Sequence, residues 1–313
     1  MGGMAALTEL VCGDLMRSIM IPEAPGVRVH EVLARTVLES VTSDRSHRHA
    51  FAASTFRRSG EVLEVKMNAA AVLRREVRRR SWRRETVALG TSEDPYHPAE
   101  EHYRLMPQVL SVLSESQTPI ALYTSSTLLL RDLSLLRLIG RSVPVTVSVS
   151  LATLDPGLSA RVDPAASSPR ARLEMVERLA DAGLAPHIRI APLPPLLADG
   201  TSQLDELLSA LSAAGAARVS VSPLQLGGDD GADFLGWLGS EHPALVRRYR
   251  SLYGRRSFVS AEYSLGLRSR MAPLVAKYGL GSESAADDDS HADQSVLPPA
   301  SCGNVSPPAL TLF

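Results

Sequence analysis

The stretch Glu85-Thr-Val-Ala-Leu-Gly-Thr-Ser-Glu-Asp-Pro-Tyr96, followed by Pro119-Ile-Ala-Leu-Tyr-Thr124, decides the fold of this chain. Each segment begins as a short run of β-forming residues and ends in polar residues. Between them, residues 98–115 carry Tyr103, Met106, Val109, Leu110 and Leu113 at helical spacing. A strand, a helix and a second strand in this order predict one βαβ unit of a parallel sheet.

The same alternation continues on both sides of this unit. Helices are expected at 69–79, 128–139, 169–182 and 202–214, and strands at 62–66, 143–151, 186–191 and 219–224, with a further contribution from 32–41. These segments make about six βα units and predict an α/β fold, a partial TIM-like (β/α)6 barrel. Right-handed crossovers bring the loops after the strands to one end of such a barrel, where a site is expected.

Composition and charge set the outer limits. The 313 residues are 44% hydrophobic and 21% charged, with a net charge of −1, so no global charge favours a nucleic acid or a membrane. No uncharged run approaches the roughly 20 residues of a membrane span. The first 20 residues lack a basic start and contain Glu9 and Asp14, which is a poor signal peptide. A cytoplasmic location is expected.

Four regions are expected along the chain. Residues 1–29 form an N-terminal arm, 30–255 the barrel and 256–280 a C-terminal helix. Residues 281–313 are rich in serine, alanine, aspartate and proline and predict a disordered acidic tail.

Several linked motifs resemble those of an actinobacterial radical-SAM family related to spore photoproduct lyase, a DNA-repair-photolyase-like group. The resemblance covers roughly residues 66–278. Its motifs are Gly90-Thr-Ser-Glu-Asp-Pro-Tyr96, Pro98-Ala-Glu100, Tyr103-Arg-Leu-Met-Pro107, Leu128-Leu-Leu-Arg-Asp132, Ser168-Pro-Arg-Ala-Arg-Leu173 and Ala191-Pro-Leu-Pro194. The resemblance implies a barrel of the radical-SAM type, with a [4Fe–4S] cluster on a Cys-x3-Cys-x2-Cys loop and S-adenosylmethionine on the fourth iron.

The cysteines that this resemblance requires are missing. Residues 45–52 align best with the cluster loop and place Arg45, His49 and Ala52 at the three cysteine positions. Iron–sulfur ligation needs thiolates, and even Cys12 and Cys302 together would leave one thiolate short. The same two distant cysteines provide no disulfide framework.

A second departure concerns the S-adenosylmethionine site. The family's lysine after the third barrel strand, which the resemblance makes a ligand for the cofactor carboxylate, is Ser125 here. The retained polar residues that could still face such a cofactor are Thr91, Asp94, Thr124, Ser148 and Ser150. The alternative for each is ordinary hydrogen bonding at a strand end.

Two other chemistries have weaker support. His47 and His49 form a His-x-His pair that could suggest zinc, but further ligands at convincing spacing are lacking. Asp94 with His97 is the one close base candidate for a hydrolase on the same barrel, and its spacing is ordinary.

Two segments suggest partners. Trp82 lies in an arginine-rich segment. Its arginines could bind DNA phosphates, or they could simply form the solvent-exposed surface of an outer helix. Its arginines are Arg74, Arg75, Arg78, Arg79, Arg80, Arg83 and Arg84. The chain ends in an apolar hook, Leu310, Leu312 and Phe313, which resembles peptides that dock on bacterial sliding clamps. The alternative is a hook that packs on its own barrel.

Two functional hypotheses follow. In the first, the chain is a degenerate radical-SAM-like barrel, a pseudoenzyme that serves as a binding or regulatory module, with DNA as a candidate partner. In the second, it is an active radical-SAM enzyme whose cluster loop is deleted or misread between residues 34 and 60. Because Ser125 lies outside that segment, the first hypothesis is favoured.

Overall fold

The computed structural model describes five strands at 18–19, 27–30, 38–40, 49–53 and 56–59, and then residues 62–282 apart from Ser92. Side chains are described from Val65 onward, except at 92, 229 and 230. Several sequence-based expectations lie outside these residues. They concern most of the arm at 1–29, Cys12, Arg45, His47, the tail beyond 282, Cys302, Leu310, Leu312 and Phe313.

Twelve strands are found in the described part of the chain. They are β1 (Ser18–Ile19), β2 (Val27–His30), β3 (Leu38–Ser40), β4 (His49–Ala53), β5 (Phe56–Ser59), β6 (Val62–Lys66), β7 (Thr86–Leu89), β8 (Ile120–Thr124), β9 (Val145–Ser150), β10 (His187–Leu193), β11 (Arg218–Pro223) and β12 (Gly281–Ser282).

The larger sheet has the order β12-β11-β10-β9-β8-β7-β4-β3. Its six central strands, β4 and β7 to β11, are all parallel, β12 adds a parallel edge and β3 an antiparallel one. This is the α/β fold that the sequence predicts, a partial (β/α)6 barrel.

Helices connect the parallel strands. The α-helices are α1 (Ala69–Glu76), α2 (Ala99–Tyr103), α3 (Leu105–Glu115), α4 (Leu133–Ile139), α5 (Pro156–Val162), α6 (Pro169–Asp181), α7 (Thr201–Ala213), α8 (Gly228–Glu241), α9 (Pro243–Tyr253) and α10 (Ala261–Lys277). A 3₁₀ helix, Thr127–Asp132, precedes α4. Among the described helices none is long and apolar enough to cross a membrane.

The first barrel strand differs from the sequence-based expectation. Residues 62–66 do form a strand, β6, but it pairs with β2 and β5 in a separate four-stranded sheet. The parallel strand beside β7 is instead β4. It overlaps the segment 45–52 that aligns with the cluster loop. Alternating apolar residues predicted that 62–66 is a strand, but not which sheet it joins.

The helix predicted at 98–115 is two helices, α2 and α3. The break lies at Arg104, whose φ of 47° is left-handed. The carboxylate of Glu100 accepts hydrogen bonds from the backbone N–H groups of Leu105 (3.0 Å) and Met106 (2.9 Å). Because those are unpaired donors at a helix start, Glu100 caps α3 and makes the break stable.

The core lies between the sheet and its helices. Val147, Val149, Ile188 and Ile190 on the sheet are almost fully buried, and they pack with helix residues such as Leu208. Alternate strand residues point to opposite faces, so this apolar set defines the helix-covered outer face of the barrel. The other face of the same strands is polar.

Candidate functional site

The polar inner face of the barrel is built by strand register. Tyr123 on β8 is in register with Ser148 on β9, which pairs with His187 on β10, which in turn pairs with Arg218 on β11. A parallel sheet covered by helices on both faces is apolar on both. A row of polar side chains therefore indicates an inner face that helices do not cover.

A second polar row lies beside the first. Ser150, Arg189 and Ser220 are in register on β9, β10 and β11. The guanidinium carbon of Arg189 lies 5.5 Å from the ring centroid of Tyr123, which is a cation–π distance. Together with Arg218, it gives the inner face two cationic side chains. An inner face of this charge suits an anionic ligand.

His187 connects three strands of this face. Its Nδ1 lies 3.2 Å from Ser148 Oγ, and its Nε2 lies 3.1 Å from Ser220 Oγ. The ring is 3% exposed, and this burial, assisted by the charges of Arg218 and Arg189, lowers the pKa of His187 to about 4. The imidazole is therefore neutral at pH 7 and orients the two serine hydroxyls.

Asp94 ties together the loops that follow β7 and β8. Its carboxylate accepts from Thr124 Oγ1 at 2.7 and 2.9 Å and from the Ser125 N–H at 2.7 Å. It also accepts from the Tyr96 N–H at 2.9 Å and from Ser125 Oγ at 3.2 Å. A carboxylate has about four acceptor sites, so Asp94 is already saturated by its own loops.

The close approach of these loops depends on Gly90. Its φ of +94° is a conformation that L side chains rarely adopt. A Cβ at this position would lie 2.1 Å from the backbone oxygen of Tyr123. Only glycine therefore lets the β7 loop cross so close to β8.

A buried ionic network supports the same loops from beneath. Arg131 donates to Glu100 Oε1 at 2.8 Å and to both oxygens of Asp132 at 2.9 and 2.8 Å. The Tyr96 hydroxyl donates to Asp132 at 3.2 Å. Glu100 has no exposed surface, and its burial raises its pKa. Four of the residues that carry the motif resemblance thus have a structural role.

A cleft of about 310 Å³ opens where the strands end. It is lined by α5 and its following residues, the segment after β11, and α8. Asp163 and Asp233 are its two aspartates and Phe234 forms its aromatic wall, with Gln225 beside them. Burial raises the pKa of Asp163, and Ser125 and Arg172 oppose that shift.

Arg172 lies behind the cleft and is 2% exposed. It donates to the backbone oxygen of Ser150 at 2.6 Å and to Ser159 Oγ at 2.5 Å, while its Nε has no hydrogen-bond partner. Desolvation lowers the pKa of this guanidinium. Arg172 holds β9 to α5 and α6 and carries a buried positive charge close to the strand ends.

The structure divides the predicted cofactor-facing residues into two groups. Asp94 and Thr124 belong to the loop tie, and Thr91 follows Gly90 in the β7 loop. Ser148 and Ser150 lie on the inner face, where Ser148 is engaged by His187. Contact between these five residues and a cofactor stays a prediction.

Sequence reasoning missed most of the inner face. Tyr123, His187, Arg189, Arg218 and Ser220 were not singled out. A signal was present, because Ile188 and Ile190 alternate with His187 and Arg189, and Val219 and Val221 alternate with Arg218 and Ser220. Such alternation predicts one polar strand face.

The arginine-rich segment 74–84 lies at the opposite end of the barrel from the strand-end loops, because it leads into the amino end of β7. Trp82 donates its indole N–H to Thr118 Oγ1 at 3.0 Å and packs against the core. Arg74 and Arg79 form ion pairs with Glu115 and Glu76 at 3.9 and 3.0 Å. The remaining arginines, Arg75, Arg78, Arg80, Arg83 and Arg84, are exposed.

No group of three or more His, Cys, Asp or Glu side chains placed to hold a metal ion occurs within the described ranges. A cluster of the [4Fe–4S] type, bound as the resemblance implies, needs three thiolates, and the whole chain contains two cysteines. The residues present do not fit that group.

Two mycobacterial proteins are similar to the chain over nearly its whole length. Uncharacterized protein Rv2578c of Mycobacterium tuberculosis and uncharacterized protein Mb2609c of Mycobacterium bovis are each 40% identical over 332 aligned residues. The alignment covers 98% of this chain and 95% of each relative. No protein-family model matches the chain.

Among solved structures, spore photoproduct lyase has a similar fold. A cysteine-to-serine mutant of that enzyme superposes with a TM-score of 0.59 at 12% identity, covering 82% of this chain and 80% of the other. A mutant with bound AdoMet and dinucleoside spore photoproduct superposes with a TM-score of 0.59 at 11% identity, with the same coverage. At this identity the likeness shows the fold alone.

Proposed function

We propose that the chain, which belongs to the same protein family as mycobacterial Rv2578c, is a radical-SAM-type barrel that has lost its cluster chemistry and acts as a DNA-associated binding module. Its ligand is an anionic, nucleotide-like group that enters where the barrel strands end.

One observation carries the loss of chemistry. The chain has two cysteines, Cys12 and Cys302, whereas three thiolates are needed to hold the cluster. The histidine and alanine at two of the aligned cysteine positions, His49 and Ala52, lie on β4, which pairs with β7 on either side of a register shift between His49 and Phe51. Ser125, at the family's lysine position, is engaged with Asp94 at 2.7 Å through its N–H.

Binding at the inner face is supported by its chemistry. Arg189 supplies positive charge, Tyr123 supplies an aromatic face, and His187 orients two serine hydroxyls. Arg218, the first residue of β11, adds positive charge at the amino end of the same face. Cations, an aromatic ring and hydroxyls are the groups that bind phosphate, base and sugar. The fold neighbour with a bound dinucleoside spore photoproduct supports the choice of a nucleotide-like ligand.

Anaerobic reconstitution with iron and sulfide tests the lost chemistry. The control is the double variant Cys12→Ser, Cys302→Ser. We expect the native chain and the variant to show the same weak visible absorbance and no cluster signal in electron paramagnetic resonance. A stoichiometric cluster that cleaves S-adenosylmethionine would contradict the proposal and support the alternative of an active enzyme.

Calorimetric titration with a thymidine dinucleotide tests the binding role. We expect Arg189→Gln to weaken binding on the order of tenfold, since a charge-assisted hydrogen bond contributes about 1.5–3 kcal/mol. Arg137→Gln, on the exposed surface of α4, is the matched control and should leave the affinity unchanged. Equal affinities of the two variants would remove Arg189 from the binding site.

A further inference from the structure

Helix α9 lies on the rim where the barrel strands end. The Tyr249 hydroxyl donates to the backbone oxygen of Pro195 at 2.5 Å, and the Tyr253 hydroxyl donates to that of Leu224 at 2.6 Å. Pro195 follows β10 and Leu224 follows β11. Both tyrosines are buried, so the inner side of α9 is anchored to two strand-end loops.

The outer side of α9 is strongly cationic. From His242 to Ala261 the chain contains five arginines and no acidic residue. The arginines are Arg247, Arg248, Arg250, Arg255 and Arg256, all of them exposed. Among the ion pairs found for the described side chains, none involves these five.

Interaction with the helix dipole of α9 explains only some of these five arginines. Arg250 lies in the last turn of α9, and Arg255 and Arg256 follow its end, where cations interact favourably with the helix dipole. Arg247 and Arg248 lie further from that end and gain little, because the effect fades within one turn.

The buried side of α9 packs against a helix that lines the cleft. Phe234, which lines the cleft, belongs to the same hydrophobic cluster as Tyr249 and Tyr253. The ring centroids of Phe234 and Tyr249 are 5.8 Å apart. A nucleic-acid strand that reaches the inner face from the end where the strands finish would pass beside α9.

We infer that the outer face of α9, with the two arginines that follow it, binds the phosphodiester backbone of a nucleic-acid strand; this rests on the proposed binding function. The partner surface is therefore at the strand-end rim and not at the arginine-rich segment 74–84. A nucleic acid fits better than a membrane because, among the side chains that the structure describes, the large exposed apolar ones are Met67, Leu138 and Leu265, none of them on α9.

The test is fluorescence anisotropy of the full chain with a labelled single-stranded DNA of about 20 nucleotides, from about 50 to 200 mM NaCl. The variant is Arg247→Gln, Arg248→Gln, Arg250→Gln. Its matched control, Arg75→Gln, Arg78→Gln, Arg80→Gln, removes the same charge at the opposite end of the barrel.

We expect the α9 variant to bind at least tenfold more weakly at about 100 mM NaCl and to lower the salt slope by about 2, as for three lost contacts to single-stranded phosphates. The control should stay within about twofold of the native chain. Circular dichroism checks the fold. If the triple variant misfolds, Arg255→Gln, Arg256→Gln, outside the helix, should still weaken binding several-fold.

Three results would overturn the inference: no DNA binding by the native chain, equal loss in both triple variants, or unchanged binding by the folded α9 variant. Vesicles containing phosphatidylserine form a further arm, and loss of vesicle binding without loss of DNA binding would identify a membrane surface instead. Cluster reconstitution is independent of all these readouts. A cluster would therefore overturn the proposed loss of chemistry while this inference stands. Unchanged DNA binding by the α9 variant would overturn this inference while the proposed loss of chemistry stands.

Discussion

Arg131 and Glu100 form a buried ion pair, with Nη2 and Oε1 2.8 Å apart, across 31 residues of chain. Glu100 has no exposed side-chain surface, and Arg131 has 21%. The same guanidinium binds Asp132, so one side chain joins the start of α3 to the end of the 3₁₀ helix. Retention of these motifs is therefore expected even in a barrel without cluster chemistry.

Arg131→Met should destabilise the chain by about 3–5 kcal/mol, because it leaves the Glu100 carboxylate buried and unpaired. Urea unfolding measures this loss. Arg170→Met is the control, since its pair with Glu174 at 3.1 Å is exposed and should contribute about 0–1 kcal/mol. Similar losses of stability in the two variants would mean that burial does not determine how much an ion pair contributes to the free energy of unfolding.

Asp94→Ala should cost about 2–3 kcal/mol and speed hydrogen exchange at the Ser125 amide, because the Thr124 hydroxyl and that N–H lose their acceptor. Asp155→Ala removes an exposed cap of α5 and should cost about 1 kcal/mol without changing exchange at Ser125. Unaltered exchange at Ser125 in the Asp94 variant would show that the loop tie is dispensable.

Gly90→Ala should destabilise the chain by about 3 kcal/mol or more, since the added Cβ meets a backbone oxygen at 2.1 Å in a left-handed conformation. Gly236→Ala on α8 meets nothing within 4 Å and should stabilise by about 0.5–1 kcal/mol. Thermal unfolding compares the two. A mild effect at Gly90 would mean that the β7 and β8 loops can separate.

His187 should make the fold sensitive to acid. The pKa of His187 is about 4 in the folded state and about 6.5 for an ordinary histidine, as in the unfolded chain. Between these pH values the unfolded chain binds the proton, so stability falls as pH decreases. The full loss is about 3 kcal/mol. His187→Asn should remove this slope in urea unfolding between about pH 7 and pH 4.5. A slope equal to that of the native chain would assign the acid sensitivity elsewhere.

Periodicity predicted much of the barrel because local residues determine it. The segments around Val87, Leu122, Val147, Ile188 and Val219 are short β-forming runs between helical ones, and all became parallel strands of one sheet. The local sequence pattern did not predict helix boundaries or strand pairing where a tertiary contact determines them. The carboxylate of Glu100 caps the second of the two helices into which the single predicted helix 98–115 divides, and the β6 strand pairs outside the barrel.

The sequence by itself determined the fold class and the shortage of thiolates. The spacing of apolar residues is a local property of the chain, and the number of cysteines is read directly from its composition. Only the tertiary structure decided which polar residues act together. Strand pairing brings Ser148, His187 and Ser220 from three separate segments into hydrogen-bond contact. The anchoring of Tyr249 and Tyr253 brings a cationic helix to the rim. The physical reason is that a hydrogen bond depends on distance in space, whereas periodicity reports only on neighbours along the chain.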